Sequence, residues 1–190
     1  MMKSTRTHFE EAAELLARVL GSAAFFESVD AAGEALVKAL RDGGKAISCG
    51  NGGSMCDAMH FAEELSGRYR EDRPAFAAVC CSDASHLTCV GNDYGFDQVF
   101  ARYVAALGRP GDVLLAISTS GNSKNVIEAA KRARTQGMSV IGLTGNDGGE
   151  LAGLCDVEVR VPWSGYADRV QEVHIKVIHS LIDAVEQALC

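Results

Sequence analysis

Residues 113–136, VLLAISTSGNSKNVIEAAKRARTQ, decide the fold. The unbroken apolar run Val113–Ile117 suits a strand buried on both faces, as strands of a parallel sheet are. The loop Ile117-Ser118-Thr119-Ser120-Gly121-Asn122-Ser123 then leads into a helical stretch, Asn125–Gln136. A second junction has the same form. Ser48-Cys49-Gly50-Asn51-Gly52-Gly53-Ser54 runs from an apolar strand into a helix over Ser54–Gly67. Further strands are expected at Ala46–Cys49, Ala77–Cys81, Ser139–Leu143 and Val157–Val161, with a helix over Phe96–Leu107 and a last one over about Tyr166–Leu189. Short strands alternating with helices imply a doubly wound α/β domain with a parallel five-stranded sheet.

Working outward, residues 1–44 read as an N-terminal helical pair. Phe9, Ala12, Ala13, Leu16, Val19 and Leu20 recur at helical spacing, and Phe25, Val29, Ala32, Ala35, Leu36, Ala39 and Leu40 do so again before Gly43-Gly44. These amphipathic helices are candidates for packing or assembly, and residues 45–190 for the α/β core; together they make effectively one domain. The chain has 190 residues, 47% hydrophobic and 23% charged, which is globular composition and excludes disorder. A net charge of −7 with no basic run argues against nucleic-acid binding. No signal-peptide core and no membrane-length apolar stretch is present, so a cytoplasmic location is expected. Seven cysteines without a CxxC spacing read as reduced thiols rather than a disulfide framework or a zinc ribbon.

In doubly wound sheets the ligand crevice lies at the carboxyl ends of the strands, where both loops fall. Glycines let backbone N–H groups approach a ligand, and a helix N-terminus favours an anion. Ser118, Thr119, Ser120 and Ser123 can donate hydrogen bonds to phosphate oxygens without adding charge. The plainer reading is two capped helices with turn glycines, since Ser, Asn and Gly belong there anyway. Neither loop fits GxGxxG or GxxxxGK[ST], which disfavours dinucleotides and nucleoside triphosphates.

Downstream of the first loop, His60 and Glu64 share one helix face, while Glu63 points about 100° away. An imidazole and a carboxylate are what proton transfer beside a sugar carbonyl requires. The same groups are zinc ligands by type, so both readings stay open. The C-terminal helix carries Asp168, Gln171, His174 and His179; Gln171 and His179 are about 12 Å apart along its axis, long for two ligands of one ion. Gly91-Asn92-Asp93-Tyr94-Gly95 reads as a turn, or as a receiver of sugar hydroxyls. Arg68, Tyr69 and Arg70 place charge at a helix C-terminus. Gly145–Gly149 reads as a turn.

GNGGS at 50–54, HFAEE at 60–64, GND at 91–93, STSGNS at 118–123 and QEVHIKVIH at 171–179 closely resemble the phosphoheptose isomerase family, within the wider sugar isomerase (SIS) domain group. The likeness runs from about residue 10 to the C-terminus. It implies a flavodoxin-like fold and conversion of D-sedoheptulose 7-phosphate to D-glycero-D-manno-heptose 7-phosphate for lipopolysaccharide heptose biosynthesis. It further implies phosphate binding by Ser118, Thr119, Ser120 and Ser123 with Ser54 assisting. Asn51, Gly52 and Gly53 match a sugar-contacting loop, Asn92 and Asp93 a second polar contact, and Asp168, Gln171 and Glu64 join the substrate set. Glu64 matches the catalytic base and His179 the catalytic acid. His60, Glu64, Gln171 and His179 match the positions of one zinc per subunit, in a homotetramer whose sites lie at subunit interfaces. The rival expectation is a non-catalytic SIS-domain protein that associates with the bacterial replication initiator, which resembles this sequence poorly at the Glu64 and His179 positions. A phosphosugar sensor is a weaker third reading, because residues 1–44 offer no DNA-binding domain.

Overall fold

The computed structural model describes residues 4–190. Helices α1 (Thr5–Leu20) and α2 (Ala23–Arg41) come first, each N-capped by a serine, Ser4 and Ser22, whose hydroxyl accepts from the third residue on. There follow β1 (Ala46–Gly50), α3 (Gly53–Ser66), β2 (Ala78–Cys80), α4 (Ala84–Tyr94), a 3-10 turn at Phe96–Gln98, and α5 (Val99–Leu107). Next are β3 (Val113–Ser118), α6 (Lys124–Thr135), β4 (Ser139–Thr144), α7 (Gly149–Ala152), β5 (Val157–Arg160) and α8 (Ala167–Leu189). The five strands are all parallel in the order β2-β1-β3-β4-β5, the flavodoxin-like doubly wound arrangement. Strand order reverses between β1 and β3, so the crevice opens between the two loops that follow them.

Side chains alternate along each strand and divide the core in two. Ala46, Val113, Leu115, Ile117, Ile141, Leu143 and Val159 pack against α1, α2, α3 and α8. Ile47, Cys49, Leu114, Ala116 and Val140 pack against α4, α5, α6 and α7. Phe25, Val29, Ala32 and Leu36 of α2 lie in the same cluster as the strands, so the helical pair shares the core of the sheet. Burying a Leu or Phe completely contributes about 1.5–3 kcal/mol, and Phe61, Phe100, Leu36 and Leu114 are all fully buried.

The expected strands fall within a residue of those observed. One expectation needs correction: Gly91–Gly95 is no free turn. Asn92 and Asp93 occupy the last turn of α4, capped at its start by Asp83, whose carboxylate accepts from the His86 N–H at 2.8 Å. The chain leaves that helix at Gly95. Among the described residues no helix is long and apolar enough to cross a membrane, and all seven cysteines are free.

Candidate active site

Loop β1–α3 and loop β3–α6 are joined by a reciprocal amide pair. Asn51 Nδ2 donates to Asn125 Oδ1 at 2.8 Å, and Asn125 Nδ2 donates to Asn51 Oδ1 at 2.9 Å. Asn125 is buried, and its Oδ1 also accepts from the Val126 N–H at 3.0 Å. The Asn51 side chain therefore braces the crevice floor, and what it leaves toward a ligand is loop backbone. Gly52 is the exposed N-cap of α3. A Cβ on Gly53 would sit 2.6 Å from Gln171 Nε2, so glycine is what allows α8 to bring the Gln171 amide against this loop.

The hydroxyl loop is folded on itself. Ser118 Oγ donates to Ser123 Oγ at 3.1 Å, the Ser123 N–H donates to Ser118 Oγ at 3.4 Å, and the Asn122 N–H donates to Ser120 Oγ at 3.2 Å. Gly121 has φ +66°, and a Cβ there would lie 1.9 Å from the Gly148 carbonyl oxygen, so no other residue fits. That close approach gives the Gly145–Gly149 turn a role the sequence did not reveal: it backs the hydroxyl loop. Ser123 is the N-cap of α6 but its side chain caps no N–H, which leaves the positive end of the helix for an anion. Ser118 and Ser54 are buried, Thr119 and Ser123 half-buried, Ser120 exposed.

Helices α3 and α8 pack side by side and bring His60, Glu64 and His179 together. One ligand atom from each lies within 4.8 Å of the others. Glu64 Oε1 is 3.0 Å from His60 Nε2, Glu64 Oε2 is 3.8 Å from His179 Nε2, and the two Nε2 atoms are 3.3 Å apart. The Glu64 side chain is only 13% exposed, and its Oε2 is buried with no hydrogen-bond partner. A buried carboxylate oxygen left unpaired is costly, so this one is held ready for a proton or a cation. Two imidazole nitrogens and a carboxylate facing one point also fit three-ligand zinc with a position open for substrate. Three residues before His60, Asp57 has its pKa raised to about 6 by burial, opposed by the charge of His60.

Of the residues expected at the site, Gln171 lies toward the start of α3. Its amide lies against Gly53, about 10 Å of helix rise from His60, and makes no hydrogen bond to His60, Glu64 or His179. Asn92 and Asp93 contact one another at 2.7 Å, and Asp93 accepts from the Cys89 thiol at 3.6 Å, on the exposed end of α4. Asp168 lies in the first turn of α8 and pairs with the buried Arg169 at 3.1 Å. Burial pushes its pKa up, but the hydrogen bonds and charge of Arg169 outweigh that and lower it.

With the geometry in place, the likeness to known proteins is informative. Residues 7–145 match the SIS domain family. A phosphoheptose isomerase of Escherichia fergusonii is 59% identical over 184 residues, 97% of this chain and 96% of that protein. The chain belongs to the phosphoheptose isomerase family. A solved phosphoheptose isomerase from Neisseria gonorrhoeae is 45% identical with a TM-score of 0.89, and one from Francisella tularensis is 38% identical with a TM-score of 0.90. Each comparison covers 96% of both chains. In this phosphoheptose isomerase family member the sequence pattern gives Asn125 no role beyond its helix and Tyr69 none beyond a helix end. The first is the partner of Asn51; the second stacks on His179, with ring centroids 5.6 Å apart.

Proposed function

We propose that this chain is an aldose–ketose isomerase that converts D-sedoheptulose 7-phosphate to D-glycero-D-manno-heptose 7-phosphate for lipopolysaccharide heptose biosynthesis. The observation that carries the reading is the buried Glu64 Oε2, which has no hydrogen-bond partner and lies 3.8 Å from His179 Nε2. In this reading the phosphate rests on the α6 N-terminus, where Ser118, Thr119, Ser120 and Ser123 donate, with Ser54 assisting. The Asn51–Gly53 loop, Gln171, Asp168, Asn92 and Asp93 hold the open-chain sugar.

Glu64 takes the proton from C1 of the ketose. The C–H electron pair becomes the C1–C2 double bond, and the carbonyl electrons move to the oxygen on C2, which receives a proton from His179. The cis-enediol then loses the proton of the C1 hydroxyl to His179 as the new carbonyl forms, and Glu64, its proton having exchanged with solvent, delivers a proton to C2. Atoms and charge balance, and both residues end as they began. His60, Glu64 and His179 are the residues that would hold zinc, which when bound polarises the carbonyl and offsets the charge developing on oxygen. Because Gln171 lies against the sugar loop, we assign it to the substrate.

The non-catalytic module has no support from the relatives above, which carry the isomerase name. We further propose a cytoplasmic homotetramer. Phe9 and Leu20 are 74% and 66% exposed, and with Leu16 they form one face of α1. Phe9→Glu with Leu20→Glu should lower the mass seen by sedimentation; an unchanged mass would move the interface elsewhere. The activity itself is tested by following the sugar phosphate by NMR. Sedoheptulose 7-phosphate should yield its aldose isomer, and absence of conversion in folded, zinc-supplied protein would overturn the reading.

A further inference from the structure

The segment between α3 and β2 was read from sequence only as charge at a helix end. In the fold it is a brace across the two helices that carry the site. Arg73 is almost fully buried: its Nε donates to Glu186 Oε1 of α8 at 2.9 Å, its Nη1 donates to the Leu65 carbonyl at 2.8 Å, and its Nη2 donates to the backbone carbonyl of Glu64. Arg70 Nη1 donates to Asp183 Oδ1 at 2.8 Å, four residues beyond His179. The Arg70 guanidinium also lies 5.0 Å from the Tyr69 ring centroid. Held between these anchors, Tyr69 stacks on the His179 imidazole with the planes 27° apart. Among the described residues the Tyr69 hydroxyl makes no hydrogen bond, so the ring is what it contributes.

An imidazole on a helix turns broadly about χ2, and each turn exchanges what Nε2 faces. Among the described residues His179 has no hydrogen bond to its other ring nitrogen that would fix it, and its one ring hydrogen bond is to His60 Nε2. We propose that Tyr69 is a positioning residue of the isomerase site, its ring holding the His179 plane so that Nε2 stays directed at Glu64 and His60. The inference rests on the isomerase reading for its kinetic consequence but not for its geometry. Misplacing an acid–base group by a fraction of an ångström lowers turnover steeply, whereas phosphate binding at the α6 N-terminus is untouched.

The test compares Tyr69→Phe, which keeps the ring, with Tyr69→Leu, which keeps apolar bulk and loses the flat face. Both are read by steady-state kinetics with sedoheptulose 7-phosphate and by zinc affinity in competition with a chelator. Tyr69→Leu should lose roughly 10- to 100-fold in kcat with KM within about twofold, and about tenfold in zinc affinity. Tyr69→Phe should restore both to within about twofold of the natural chain. Two results would overturn the inference: unchanged kcat and zinc affinity in Tyr69→Leu, or a Tyr69→Phe variant as impaired as Tyr69→Leu. If the natural chain turned over no sugar, the isomerase reading would fail instead, and the zinc comparison would still decide the role of Tyr69.

Discussion

His174 and His179 stand five residues apart on α8, about 140° apart around its axis, and serve opposite ends. His174 is fully buried; its Nε2 contacts the Thr144 carbonyl at 3.0 Å, so that nitrogen carries the proton, and its Nδ1 has no partner. Burial lowers its pKa to about 4, the carbonyl bond opposing, so it is neutral in the fold near pH 7. It ties α8 to the carboxyl end of β4. His179, 35% exposed, instead meets Glu64, His60 and Tyr69. One helix thus presents one histidine to the core and another to the His60–Glu64 cluster. Residue type does not separate them; what each touches does.

Glu64→Gln breaks the reactive side most severely. It should cost about 10²–10⁴-fold in kcat while calorimetry still shows substrate binding, because the phosphate loop is intact. His179→Gln should also lose about 10²-fold or more in kcat, yet leave unfolding free energy within about 0.5 kcal/mol in denaturant titration. His174→Gln sharpens the contrast from the other side: about 1–3 kcal/mol less stable, with kcat nearly kept. Equal destabilisation by the two histidine variants would erase the distinction drawn here.

The pH dependence follows from the sign of the His174 shift. In the unfolded chain its imidazole takes a proton near 6.5, in the fold only near 4, so between these values the unfolded state binds more protons. Stability is complete above about pH 6.5, falls as pH drops toward 4 by on the order of 2–4 kcal/mol, and levels off beneath, where both states are protonated. Unfolding midpoints across this range should show that slope, and His174→Gln should flatten it. The smallest effect is expected from Asn125→Ala, which leaves the Asn51 amide unpaired: about 1–2 kcal/mol of stability and a several-fold higher KM.

Much of this was legible in the sequence because the signals are local. Apolar runs mark the strands, and the i, i+4 spacing puts His60 and Glu64 on one face. The hydroxyl loop announces itself by composition. What escaped is long-range or weak in propensity. Asn125 pairs with a residue 74 positions away, and Tyr69 meets His179 only because α3 and α8 lie side by side. Helix α4 carries Gly91, Thr88, Asn92 and Asp93, all poor helix formers, and its existence rests on the Asp83 cap and on the burial of Val90. The placement of Gln171 depends on the absence of a side chain at Gly53, a contact no spacing rule reveals.

The most direct test of a Glu64-centred isomerase is to incubate the protein with sedoheptulose 7-phosphate in deuterium oxide and follow the sugar by NMR. The account predicts an aldose phosphate carrying deuterium at C2, with conversion and exchange both slowed about 10²–10⁴-fold in Glu64→Gln. Full turnover and deuterium incorporation in Glu64→Gln, or no exchange at all in the folded, zinc-supplied natural chain, would contradict it.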